Sequence, residues 1–216
     1  MTKAELREET YRRLGEAGVS ATFFSDDDVD EAITEGLMEL SDETEWYEVS
    51  QTVDLCMDRL YYDVRTIFPD REVLTPGRVF NVQTNRWLVP SSVRDLDAAY
   101  ARWEQITGQP DRVLTRGLWW VGYWPMTSAE SGTVTQYATA LPEALEDDED
   151  RPELPTVYHD ALVQYALAIL LPQAGEVTKA LAAWERYMTA EGALVATVAG
   201  RGAVPMGHGH AAARRA

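Results

Sequence analysis

Several groups of side chains in this sequence have types and spacings that could do chemistry. Asp26, Asp28 and Asp30 alternate as calcium ligands do. An EF-hand loop starting at Asp26 would need glycine at its sixth position and glutamate at its twelfth, and those positions hold Glu31 and Leu37. These acids therefore read as a helix start. His208 and His210 could hold a metal weakly, but the single cysteine, Cys56, is remote in sequence and a closed zinc site needs four ligands. His159 beside Asp160 resembles a general base with its orienting acid, yet no G-x-S-x-G or comparable nucleophile signature accompanies it, so a structural histidine is expected. Trp119, Trp120 and Trp124 could stack on sugar rings. Among 36 acids a catalytic carboxylate pair cannot be assigned by spacing, and tryptophans in a small β layer are expected in a core or a subunit interface. No P-loop and no GxGxxG after a strand occurs. The expectation is a protein with no catalytic residues, no cofactor and no metal.

The elements that would position these groups are legible in the pattern. Thr2 to Glu5 form a capping box for a helix to about Leu14, ended by Gly15 and Gly18. Ser25 caps a second helix in which Val29, Ile33, Leu37 and Leu40 form a stripe to about Ser41. Between residues 46 and 142 the period shortens: Val49, Val53 and Leu55 alternate with polar residues, as do Leu60, Tyr62 and Val64. Turns are expected at Pro69-Asp70, Pro76-Gly77 and Thr84-Asn85, one helix from Val93 to Ile106, and a last strand over Thr133 to Tyr137. Residues 143–154 read as a solvated acidic linker, since the block Glu146 to Asp150 is all of one charge. Pro155 suits the first turn of a helix with the acids near its positive end, Tyr158, Leu162, Tyr165 and Ile169 recur along it, and Pro172 stops it. This helix is apolar nearly all round, so protein should surround it. Gly175 opens a final helix whose stripe Val177, Leu181, Trp184 and Met188 is expected to face the core, with Gly192 weakening it.

The fold class that follows is α+β. A helical bundle core of N-terminal (1–45) and C-terminal (155–195) helices carries a central β-rich insert and a flexible C-terminal tail from residue 196. Nineteen basic against 36 acidic side chains leave a net charge of −17, which excludes broad binding to the phosphate backbone. The charge is uneven. No acid follows Glu191, while Arg201, Arg214 and Arg215 make the tail basic. One cysteine, no secretory signal and no apolar run long enough to span a bilayer suggest a protein of a reducing interior without a membrane.

In order along the chain, the residues resemble the bacteriophage head-to-tail adaptor proteins, also called neck or connector proteins. The likeness runs through Leu88-Val89-Pro90-Ser91, Arg94-Asp95-Leu96-Asp97, Trp103, Gly108, Pro110, Trp124-Pro125 and Tyr137. It is strongest in Asp147-Asp148, Pro152, Leu154-Pro155, Tyr158-His159, Leu162-Val163 and Tyr165-Ala166. The resemblance implies a structural virion protein that forms a homo-oligomeric, twelve-fold ring in the neck. Its partners would be the portal protein and the tail or next neck protein, DNA would pass through the lumen without specific binding, and assembly would occur in the host cytoplasm. The C-terminal segment would dock on the portal, through Arg201, Val204, Pro205, Met206, Arg214 and Arg215. The alternatives are another tail-structural protein, such as a tail terminator or accessory protein, or a carbohydrate-binding protein using Trp119 to Trp124.

Overall fold

The computed structural model describes residues 1–20, 22–128 and 132–200 of the chain. They form a mixed α/β protein with six helices: α1 Lys3–Glu16, α2 Asp26–Thr44, α3 Val64–Ile67, α4 Val93–Ala99, α5 His159–Gln173 and α6 Val177–Gly200. Among the described residues, contacts group Met1–Tyr47 with residues 141–200, and Glu48–Ala140 separately, into a helical unit and a β unit.

The helical unit is built on local signals at each helix start. The Thr2 hydroxyl accepts from the Glu5 amide while the Glu5 carboxylate accepts from the Thr2 amide, and Ser25 and Asp28 repeat the exchange for α2. Each box satisfies amides that have no intrahelical acceptor. Leu6 and Leu14 of α1, with Val29, Ile33, Leu37 and Leu40 of α2, pack into one apolar cluster with α5 and α6. Most of α5 is buried, as its apolar circumference requires. At Gly36 a Cβ would stand 2.9 Å from the Tyr165 ring, so the missing side chain lets α2 approach α5 at this point.

Three expectations in this unit are corrected. Helix α5 starts at His159 after a 3-10 turn over Thr156–Tyr158, and it runs through Pro172 to Gln173. Gly175, expected to open the last helix, instead closes α5: its left-handed conformation lets the Glu176 amide donate back to the Leu171 carbonyl at 2.9 Å. The second correction concerns the acidic stretch. Glu146 to Glu149 are exposed, the half-buried Asp150 carboxylate accepts from the Glu146 and Asp147 amides, and the backbone of the stretch is docked at the N-terminus of α1, not α5. Lys3 and Ala4 donate their amides to the Asp150 and Asp148 carbonyls at 2.8 and 3.1 Å, and the Lys3 ammonium donates to the Glu146 carbonyl at 2.9 Å. The free amides of a helix start are strong enough donors to hold a like-charged segment that pattern alone leaves in solvent. Arg7 ties the same place to α2. It donates from Nε and Nη2 to the two Asp30 oxygens at 2.6 and 2.5 Å, and from Nη2 to Asp148 at 2.7 Å. The third correction is that α6 turns its expected core stripe outward. Val177, Leu181, Trp184 and Met188 are exposed, while Ala180, Ala183, Tyr187 and Leu194 are buried. Gly192 leaves the helix unbroken.

In the β unit the strands are β1 Glu48–Leu55, β2 Tyr61–Asp63, β3 Val73–Asn81, β4 Arg86–Trp87, β5 Val89–Ser91, β6 Thr107–Gly108, β7 Arg112–Arg116, β8 Trp120–Trp124, β9 Met126–Thr127 and β10 Gly132–Ala140. One sheet has the order β1-β10-β3-β4 and is antiparallel throughout; a second has the order β2-β8-β7-β5, with β5 and β7 parallel; β6 and β9 form a small parallel pair. The four-stranded sheets share an apolar cluster that includes Val53, Leu55, Val79, Val113, Val121, Tyr123 and Val134. Within it the Tyr123 hydroxyl donates to Gln136 Oε1 at 3.1 Å, and Gln136 Nε2 donates to the Gly77 and Tyr137 carbonyls. Pro76-Gly77, read as a turn, lies inside β3. The pairing skips Tyr137 there, and a Cβ on Gly77 would meet the Tyr137 carbonyl oxygen at 2.9 Å. A proline and a glycine here make an irregular strand, not its end. Thr84-Asn85 does turn, around Asn81, whose Oδ1 accepts from the Gln83 and Thr84 amides. The helix expected to Ile106 stops at Ala99. Arg102 is left-handed and only a 3-10 turn, Trp103–Gln105, follows. Leu96 and Trp103 still reach one cluster, with Leu60, Leu114 and Trp124.

Because Arg7 and Asp30 are largely shielded and doubly bonded, Arg7→Ala should lower the stability of the helical unit by about 2 kcal/mol, the value of a charge-assisted hydrogen bond lost from such a site. Arg12→Ala removes only exposed pairs with Glu9 and Glu16 and should change nothing measurable; urea unfolding followed by far-UV circular dichroism compares the two.

Candidate interaction surfaces

The structure does not bring the chemically suggestive residues together. Asp28 serves Ser25, Asp30 serves Arg7 and Lys3, and Asp26 accepts from the Tyr11 hydroxyl at 2.9 Å. The three acids are thus taken up by a cap and by the ion pairs and hydrogen bonds between α1 and α2, with Arg7 reaching both Asp26 and Asp30. No group of three or more His, Cys, Asp or Glu side chains suited to a metal ion occurs among the described residues. Cys56 is exposed. Trp124 is buried and donates its indole N–H to the Trp103 carbonyl at 2.9 Å, whereas Trp119 and Trp120 are exposed, so the three rings form no common platform. An open cleft of about 280 Å³ beside β1 and β2, lined by Gln51, Asp54, Arg59 and Thr66 among others, contains Cys56 and none of the other suggestive residues. Arg201, Val204, Pro205, Met206, Arg214, Arg215, His208 and His210 lie outside the described residues.

Two apolar surfaces are displayed instead. The first is the outward stripe of α6, on which Leu181 is 60% exposed. Trp184 lies at its centre, with its ring 6.0 Å from that of Tyr165 and 5.4 Å from that of Tyr187. Acids surround this aromatic group. Burial first, then Glu35 and Glu39, pushes the Tyr165 hydroxyl up to about 12. Tyr187 is pushed higher still by burial together with Glu191, Glu39 and Glu43. Glu185 adds a further acid, one helical turn from both Leu181 and Met188.

The second surface is the tip of the β7–β8 hairpin. Gly117 takes the left-handed conformation that the turn requires, and the next three residues are large and apolar: Leu118 is 74% exposed, Trp119 38% and Trp120 43%. The rim is basic. Arg65 holds its guanidinium 5.3 Å from the Trp119 ring centre while pairing with Asp63, and Arg116 lies 5.5 Å from that of Tyr61. Elsewhere in the β unit Arg78 covers Trp87 and Tyr137 at 4.5 and 5.2 Å. Sequence reasoning missed the α6 surface because it assigned the larger stripe to the core. The competing signal was present: Ala180, Ala183, Tyr187, Ala190 and Leu194 repeat at alternating steps of three and four.

Displayed apolar and aromatic surface, together with side-chain carboxylates engaged in caps and ion pairs, defines a protein of assemblies. The family comparison agrees: residues 1–207 match the model of the SU10 adaptor protein family, and the chain belongs to this family of phage head-tail adaptors. No curated protein matches the chain. Among the described residues no helix is long and apolar enough to cross a membrane.

His159, part of the strongest stretch of family likeness, is a packing residue. Its ring is buried, Nε2 stands 2.8 Å from the Leu154 carbonyl oxygen and Nδ1 is 2.7 Å from the Met1 nitrogen. A carbonyl only accepts, so Nε2 carries the proton and Nδ1 accepts. Burial, the largest influence, holds this histidine below its ordinary value of 6.5. A depressed folded pKa gives stability that is present above 6.5 and lost as pH falls through the folded value. The melting temperature should therefore fall on acidification below pH 6.5, before carboxylates such as Glu9, pushed down to about 2, take up protons. His159→Gln, which can still donate to Leu154, should flatten this dependence; an unchanged slope counts against the assignment.

Proposed function

We propose that this chain forms a homo-oligomeric ring, twelve-fold in the particle, that joins the portal to the tail in a phage neck and lets DNA pass. The match to an adaptor family over residues 1–207 is the observation that carries this reading. In it the four long helices act as a helical bundle core, the β-rich insert and the basic tail contact neighbours, and the protein works without catalysis in the virion after assembly in the host cytoplasm. The charge distribution supports passage of DNA. An acidic wall repels phosphate, so DNA slides without lodging, whereas a basic wall would hold it by counterion release. The basic tail with Arg201, Val204, Pro205, Met206, Arg214 and Arg215 is the proposed portal-docking segment. A segment differing in charge from its own body prefers a different partner from the rest of the chain.

Electron microscopy of the full chain mixed with the phage's portal rings should show a twelve-fold density on one end of the portal. Deleting residues 201–216 should leave circular dichroism and melting unchanged and abolish capture by the portal. Retained capture would overturn the role of the tail, and binding to tail tubes in place of portal rings would favour a tail terminator.

A further inference from the structure

We infer that neighbouring copies of this chain join by a head-to-tail contact in which the β7–β8 hairpin tip of one copy docks on the exposed α6 stripe of the next. This rests on the ring reading above and adds the identity of the two surfaces.

Both patches need a cover. Val177, Leu181, Trp184 and Met188 form a row along more than three turns of α6, and Leu118, Trp119 and Trp120 project consecutively from a tight turn. Contiguous exposed side chains of this size mark interaction sites, and tryptophans seated in a groove are the commonest anchors of protein interfaces. Charge decides which patch meets which. Beside the α6 stripe, Glu35, Glu39 and Glu43 of α2 and Glu191 of α6 act on the hydroxyls of Tyr165 and Tyr187, whose rings stand against that of Trp184, and Glu185 lies one turn from Leu181 and Met188. Pairing this stripe with the same stripe of a second copy would bring two acidic rims face to face, which is repulsive. The hairpin rim carries Arg65 and Arg116 against Asp63. The two arginines at the hairpin rim set against the glutamates beside α6 attract, and the apolar centres then close on each other while water is excluded from around them. The same argument sets the symmetry. Two different patches that recognise each other give a heterologous contact, in which every copy offers a tip and a groove, and such contacts generate rings when the rotation closes.

The test is a complementation. One full-length variant loses the tip, Trp119→Ser with Trp120→Ser; another loses the groove, Leu181→Asp with Met188→Asp. All four positions are exposed, so each variant should keep its far-UV circular dichroism and its melting temperature. Analytical ultracentrifugation and electron microscopy are run under the conditions in which the unchanged chain assembles, with portal rings supplied. Each variant alone should stay monomeric off the portal and, where its tail docks on portal rings, should form no contact between neighbouring copies. An equimolar mixture should give heterodimers and nothing larger, since one intact tip meets one intact groove. Two chains that each fail to associate alone recover association only if the surface one retains meets the surface the other retains. Rings formed by either variant alone would overturn this contact and leave the ring reading intact. Dimers of the tip variant alone would show α6 pairing with itself and equally overturn it. An unchanged chain that never assembles, with or without portal, would overturn both.

Discussion

Helix α5 has almost no polar surface to offer water, and the helical unit is arranged to meet that constraint. Its buried residues, from His159 to Leu171, occupy the whole circumference, so neighbours are needed on every side. α1, α2 and α6 supply them, each in a different way. α2 comes close through Gly36 against the Tyr165 ring, α1 contributes Leu6 and Leu14, and α6 lies against it with small residues. Ala180 and Ala183 let the two backbones approach closely at one end of the seam, Tyr187 and Leu194 fill it further along, and Val177, Leu181, Trp184 and Met188 are left on the outer face. The exposed apolar stripe is thus a consequence of how α5 is enclosed.

The parts of this fold that depend on neighbours in sequence could be read from sequence. The boxes at Thr2 and Ser25, the turn at Asn85 and the all-round apolarity of α5 each involve residues a few positions apart, and each is present. The readings that failed depend on a partner distant in sequence. Glu146 to Asp150 look like free linker until the amides of Lys3 and Ala4 come within reach. Pro76-Gly77 looks like a turn until Tyr137 leaves the ladder beside it. On α6 two stripes have helical spacing, one large and one mostly alanine, and hydrophobicity favours the large one. Only the room left beside α5 selects the other. Of the candidate surfaces, the tryptophan pair at the hairpin tip was visible as an aromatic cluster, but its separation from Trp124 follows from β8 carrying Trp124 into the core.

The two units also use charge differently. Every cation between residues 48 and 140 is an arginine, and the count of acids there is close to that of bases, whereas the surplus of acids in the chain lies in the helical unit. Arginine is the more weakly hydrated cation and stacks on aromatic faces, as Arg59, Arg65, Arg78, Arg112 and Arg116 do here. Such a surface gives up its water at low cost, which is what a protein contact requires. Carboxylates hold their water more strongly and repel phosphate. In the proposed ring the same chain would have to grip its neighbours and release DNA that moves past it, and these demands conflict if one surface serves both. Arginine over aromatic rings in the β unit and excess carboxylate in the helical unit separate the two kinds of surface by composition.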